Sequence, residues 1–86
     1  SVYSVKDEFT LRFLFFSKLT PGKVREYLCA QREKTLRQKE GFERTLASLR
    51  GEMDYYLQSI IRKGILHLEA EVRWLDEVTG ELEKRC

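Results

Sequence analysis

The sequence predicts an all-α domain: a short apolar helix followed by a long antiparallel helical hairpin. Three observations predict it. The 86 residues hold one proline and five glycines, too few for a loop-rich fold. Charged residues make up 35% of the chain, a level suited to long solvated helix faces. Apolar residues in the second half recur at steps of three and four, the period of a helix with one buried stripe. The length corresponds to one domain, residues 1–86, close to the size at which a lone core is only modestly stabilising.

The first helix is expected over residues 5–19. Its stretch "FTLRFLFFSKL" carries Phe13, Leu14, Phe15 and Phe16 in succession. Helical neighbours sit about 100° apart, so this run is apolar nearly all round and needs cover on every side. It is far shorter than the roughly 20 residues of a membrane span, and no signal-peptide pattern precedes it. No membrane partner is expected.

The second helix is expected over 21–50. Thr20 is a capping residue type, and Pro21 suits the first helical position. Val24, Leu28, Phe42, Leu46 and Leu49 can share a face. Between them lies "QREKTLRQKEG", with Leu36 as its single large apolar residue. This helix should therefore be apolar at its ends and solvated in its middle, with Gly41 as a place for a kink.

The third helix is expected over 52–84. Gly51 provides a stop, and Asp54 or Glu52 starts the new helix on the side its dipole favours. Leu57, Ile61, Ile65, Leu68, Val72, Leu75, Val78 and Leu82 form a broad stripe. Tyr56, Ile60, His67 and Trp74 lie on a flank beside it, too wide a surface for one neighbour to cover. Gly64 and Gly80 each weaken a helix interior by about 1 kcal/mol, and Gly80 suggests a frayed end.

Charge divides along the hairpin. Residues 20–50 hold eight Lys and Arg against four Glu, a net +4; residues 51–86 hold five against eight Asp and Glu, a net −3. Pairing about Gly51 puts Arg37 and Lys39 near Ile65 and Lys63, with Glu69 a turn away. It also puts Arg32 near Ala70 between Glu69 and Glu71, and Arg25 near Glu77. Exposed pairs of this kind guide register more than they add stability.

Little in the chain reads as catalytic. His67 is the single histidine, so a histidine metal site or nucleophilic triad has little to draw on; a helix-flank or interface histidine is the simpler reading. Cys29 lacks a local partner and reads as a free, semi-buried thiol. The two cysteines make no disulfide framework and suit a reducing, cytoplasmic setting. The acidic residues of the last helix read as a solvated face rather than as paired catalytic carboxylates. No phosphate-binding loop is present. Arg32, Lys34, Arg37 and Lys39 form a basic patch without interleaved aromatics, better paired with the acidic helix than with phosphates. No enzyme, no metal and no cofactor are expected. Tyr55, Tyr56 and Trp74 are the residues able to wall an aromatic ligand pocket.

Certain residues carry a resemblance. Glu8-Phe9, Leu11, Arg12 and Phe15-Phe16 are followed by a long polar helix. Then come Gly64, Glu69, Ala70, Glu71 and Trp74-Leu75. In this order the chain resembles, from Asp7 to Leu82, the C-terminal domain of PadR-like transcriptional regulators, also called the virulence-activator alpha C-terminal type. The resemblance implies helices that pair two subunits, and a winged helix-turn-helix domain for DNA that these residues do not contain. The chain would then be a fragment or single domain of a longer regulator, with no DNA-contacting residue of its own.

Residues and resemblance together predict pairing into a dimeric helix bundle. Candidate interface residues are Phe9, Phe13, Phe15 and Phe16 from the first helix. Tyr56, Ile60, His67, Trp74 and Val78 are those from the third, with Trp74 as anchor beside Phe13 and Phe16. Two further readings stay open: a module sensing a small aromatic effector between subunits, and a hairpin adaptor that binds another protein through its apolar first helix.

Overall fold

Two capping residues divide the chain. Thr20 holds an extended backbone, and its Oγ1 accepts from the Lys23 N–H at 3.2 Å. Asp54 Oδ1 accepts from the Leu57 N–H at 2.9 Å. Each satisfies a donor that a helix start leaves without an intrahelical partner. The computed structural model describes residues 8–49, 51–52 and 54–85. Its elements are α1 (Glu8–Phe13), a 3₁₀ turn (Phe16–Lys18), α2 (Pro21–Ser48) and α3 (Tyr55–Arg85). Among the described residues no strand forms, and α2 and α3 pack as a helical hairpin about 49 Å long.

The first helix is shorter than expected. It ends at Phe13 instead of Leu19, and its expected start at residues 5–7 lies outside the described residues. The backbone then tightens into i to i+3 bonds, with the Phe15 N–H donating to the Arg12 carbonyl and the Leu19 N–H to that of Phe16. Pro21 disfavours a helical residue before it, and Leu19 and Thr20 are extended. The chain therefore reverses early. This resolves the four-residue apolar run: Phe13 and Phe16 turn inward, while Leu14 and Phe15 face solvent.

The hairpin turn follows the sequence more closely. α2 ends at Ser48 with Leu49 as its cap, and Gly51 takes the left-handed conformation at φ 90° that glycine adopts without strain. The expected second-helix end at Arg50 lies outside the described residues. α3 starts at Tyr55, three residues beyond the expected start, because Asp54 is the cap. Helix α2 runs unbroken through Gly41. Gly80 is not a frayed end either, since α3 continues through it to Arg85.

The core lies at one end of the hairpin. Phe16, Val24, Leu28 and Leu75 are buried together, with Phe9, Phe13, Trp74, Val78 and Leu82 packed against them. Further along, Ile65 and Thr35 are each about 1% exposed. Thr35 corrects the expectation of a solvated middle for α2. Its hydroxyl donates to the Gln31 carbonyl at 2.8 Å, which removes the cost of burying it.

Candidate functional site

The aromatic cluster is built from three elements. α1 and the 3₁₀ turn supply Phe9, Phe13 and Phe16; α3 supplies Trp74. The Phe13 ring meets Trp74 edge-on at 5.1 Å between centroids, and Phe9 meets it at 6.3 Å. Phe16 lies 5.3 Å from Phe13 and 5.6 Å from Tyr27 on α2. Edge-to-face rings at these distances attract beyond simple area burial. The cluster thus straps α1 across the hairpin.

The interface candidates consequently separate into two groups. Phe9, Phe13, Phe16, Trp74 and Val78 are brought together inside one chain and are buried or half-buried there. Phe15, Tyr56, Ile60 and His67 remain exposed, with Phe15 at 62%, Tyr56 at 77% and Ile60 at 66%. Trp74 does have Phe13 as its neighbour, as the sequence suggests, but within its own chain. Leu14, at 68% exposed, belongs with the second group. Its membership of the apolar run was the signal that pointed to it. Leu57 and Phe42 are half-exposed apolar residues that periodicity had placed on buried faces.

The three possible pocket residues do not meet within a chain. Tyr55 and Tyr56 touch each other, with centroids 6.0 Å apart, at the start of α3. Trp74 lies about 27 Å further along that helix at 1.5 Å per residue. Concavity appears elsewhere. An apolar cleft of about 170 Å³ opens between the 3₁₀ turn, α2 and α3, lined by Phe16, Leu19, Val24, Leu28 and Leu82, with Arg25 and Glu83 also on its wall.

Charge pairs across the hairpin agree with the sequence expectation at Lys39 and Glu69 and differ from it at Arg32. Arg32, expected between Glu69 and Glu71, instead meets Asp76 through two contacts of 2.7 and 3.3 Å. Glu71 accepts from Gln31 at 3.1 Å. Lys39 reaches Glu43 at 3.0 Å and Glu69 at 3.8 Å. Arg25, expected opposite Glu77, lines the cleft beside Thr79 and Glu83. Gln31 and Glu71 meet at the expected register, whereas the long Arg32 side chain reaches further along α3 to Asp76. The hydrogen bond from Arg32, then its charge, holds the Asp76 carboxyl below the usual carboxylate range, and the same bond raises Arg32. The bond to Glu43 raises Lys39. Cys29 is free and exposed, not semi-buried, because it lies on the outer side of α2.

Among the described residues no helix is long and apolar enough to cross a membrane. No curated protein matches the chain, and no solved structure does. Residues 5–83 match the family described as virulence activator alpha C-term, a family of C-terminal regulatory domains. With residues 5–83 of the 86 matched, the chain belongs to the virulence activator alpha C-terminal family.

Proposed function

We propose that this chain is the homodimerisation domain of a PadR-like transcriptional regulator, acting in the cytoplasm, with DNA held by a winged-helix domain outside these residues. One observation carries the reading. Leu14, Phe15, Tyr56 and Ile60 are large apolar residues more than 60% exposed on a small domain, and groups of such residues mark interaction surfaces. Family membership supports a regulatory role. Light scattering at micromolar concentration should give twice the chain mass, and the melting temperature should rise with concentration. The chain alone should not shift duplex DNA sequence-selectively, and any retention at low salt should vanish near physiological salt. A concentration-independent monomer, or nanomolar sequence-selective DNA binding, would refute the proposal. A monomer that captures a different protein through Phe15 would favour the adaptor reading.

The cleft beneath Leu19 favours a second, compatible reading, in which the domain senses a small aromatic effector. Its volume of about 170 Å³ resembles that of apolar cavities that take up benzene. A thermal-shift screen of single-ring aromatic acids, repeated on Val24→Trp to fill the cleft, tests it. Equal shifts in parent and variant would place such binding elsewhere.

A further inference from the structure

A groove runs along α2 beside α1 and its turn. Tyr27, Ala30, Gln31 and Lys34 line one side of it, and their helical spacing puts them on one face of α2. Phe9 and Arg12 of α1, with Phe15, Phe16 and Leu19 of the turn, form the opposite wall. Ala30 is the smallest of the α2 residues and leaves the middle open. The space is about 460 Å³, against about 170 Å³ for the cleft beneath Leu19. Phe16 and Leu19 line both, so the two concavities lie back to back across the turn.

The ends of the groove differ in chemistry. At one end Phe16 lies 5.6 Å from Tyr27, with Phe15 and Leu19 beside them. At the other stand two cations. Arg12 is held by Glu8 at 2.6 Å, and Lys34 makes no ion pair among the described residues. Gln31 is already engaged, donating to Glu71 on α3 at 3.1 Å. With Glu8 counted, this end carries a net positive charge. From Tyr27 to Lys34 the α2 face is about 10 Å long at 1.5 Å per residue. An extended chain advances about 3.5 Å per three bonds, so about eight or nine bonds span it. A single ring covers only part of that length, and an uncharged chain leaves Lys34 without a counterion.

We infer that this groove binds a free straight-chain carboxylate of about eight carbons, its tail against Tyr27, Phe15 and Phe16 and its carboxylate at Lys34 and Arg12. One anion balances the charge at that end. Phe15 and Tyr27 are 62% and 43% exposed, so the tail takes wet apolar surface out of water. The bound molecule joins the turn to α2 and stabilises the strap. One chain holds every residue of the site, so the site does not require two copies to pair. It shares only Phe16 and Leu19 with the effector cleft proposed above.

Calorimetric titration of the whole chain with straight-chain carboxylates tests the site. Affinity should rise about two- to fourfold per methylene from hexanoate to octanoate, then level off by dodecanoate, whose tail outgrows the groove. Lys34→Gln should weaken octanoate about fivefold, the most that an exposed charge pair supplies, and leave 1-octanol unchanged. Ala30→Trp, at an exposed position, should stay folded by circular dichroism and lose octanoate. Ser17→Trp, which narrows only the cleft across the turn, should keep it. In the parent, octanoate should shift Trp74 emission, since Phe9 lines the groove and meets Trp74 edge-on at 6.3 Å. Affinity that keeps rising through dodecanoate is partition onto apolar surface and overturns the site. So does octanoate binding unchanged by Lys34→Gln or by Ala30→Trp, or no binding at millimolar octanoate. Binding lost in Ser17→Trp but kept in Ala30→Trp moves the chain into the cleft, overturning the groove and leaving the effector reading standing. Attachment to phosphatidylglycerol vesicles without binding of free octanoate overturns it in favour of a lipid surface.

Discussion

The ring of Phe42 lies against Gly64 so closely that a β-carbon on that glycine would stand 2.6 Å from the ring Cε2. Contacts that short require the ring to move. An alanine there would otherwise favour the helix by about 1 kcal/mol, so the two effects oppose each other. Gly64→Ala should stabilise by less than that in the parent, or destabilise, and recover the full gain in a Phe42→Ala background. Chemical denaturation of the four-member cycle measures the coupling. Equal effects of Gly64→Ala in both backgrounds would show that the close approach is inconsequential.

Arg32 and Asp76 should confer a pH dependence of one sign. A carboxyl whose folded pKa is lowered adds stability above its unfolded pKa and loses it as pH falls through the folded value. The bridge should therefore be whole at neutral pH and fade below about pH 4. Both side chains are largely exposed, so the effect is small. Arg32→Glu should lower the melting temperature by a few degrees at most. Asp76→Arg in the same chain should restore part of it at pH 7, whereas Glu71→Lys should restore less.

Trp74 should anchor α1. It is half-buried, so Trp74→Ala should cost about 3 kcal/mol, the low end for a large aromatic. Its emission should be blue-shifted in the native protein. Phe13→Ala should move it to the red without unfolding α2 and α3, since Phe13 is its nearest ring neighbour. Unchanged emission in that variant would mean that the strap does not depend on this pair.

Asp54 should be the start signal of α3. Asp54→Ala should destabilise by about 1 kcal/mol, and Asp54→Asn by much less, because the amide oxygen can still accept from the Leu57 N–H. Equilibrium urea curves compare the two directly.

These residues also show what can be read before folding is known. Thr20, Pro21, Gly51 and Asp54 act through neighbours in the chain, so the divisions of the hairpin were legible. The width of the α3 apolar surface and the Phe13–Phe16 run together implied a covering element, and Phe13 does cover Trp74. Thr35 was illegible because its hydroxyl is satisfied by its own helix, which no surface-like composition reveals. Gly64 reads as a cost until Phe42 is placed beside it. The partner of Arg32 depends on how far its long side chain reaches along α3, and the break after Phe13 depends on where the chain must reverse. Helical periodicity decides neither.

The buried cluster around Leu75 makes the hairpin a lever. Its fulcrum is the strap of α1 on Trp74 and its tip is the turn-side end of α3 at Tyr55, about 28 Å away at 1.5 Å per residue. Between them Ile65 and Thr35 are the deepest side chains, and the aromatic residues nearest the tip are bare. Amide exchange should be slow from Leu75 to Ile65 and quicken beyond it toward Tyr55, because opening costs least where the least apolar surface is covered. A rotation of about 5° between α2 and α3 at the fulcrum displaces the tip by about 2.5 Å over that length. Whatever tightens or loosens the strap is thus felt, magnified, at the far end of the arm.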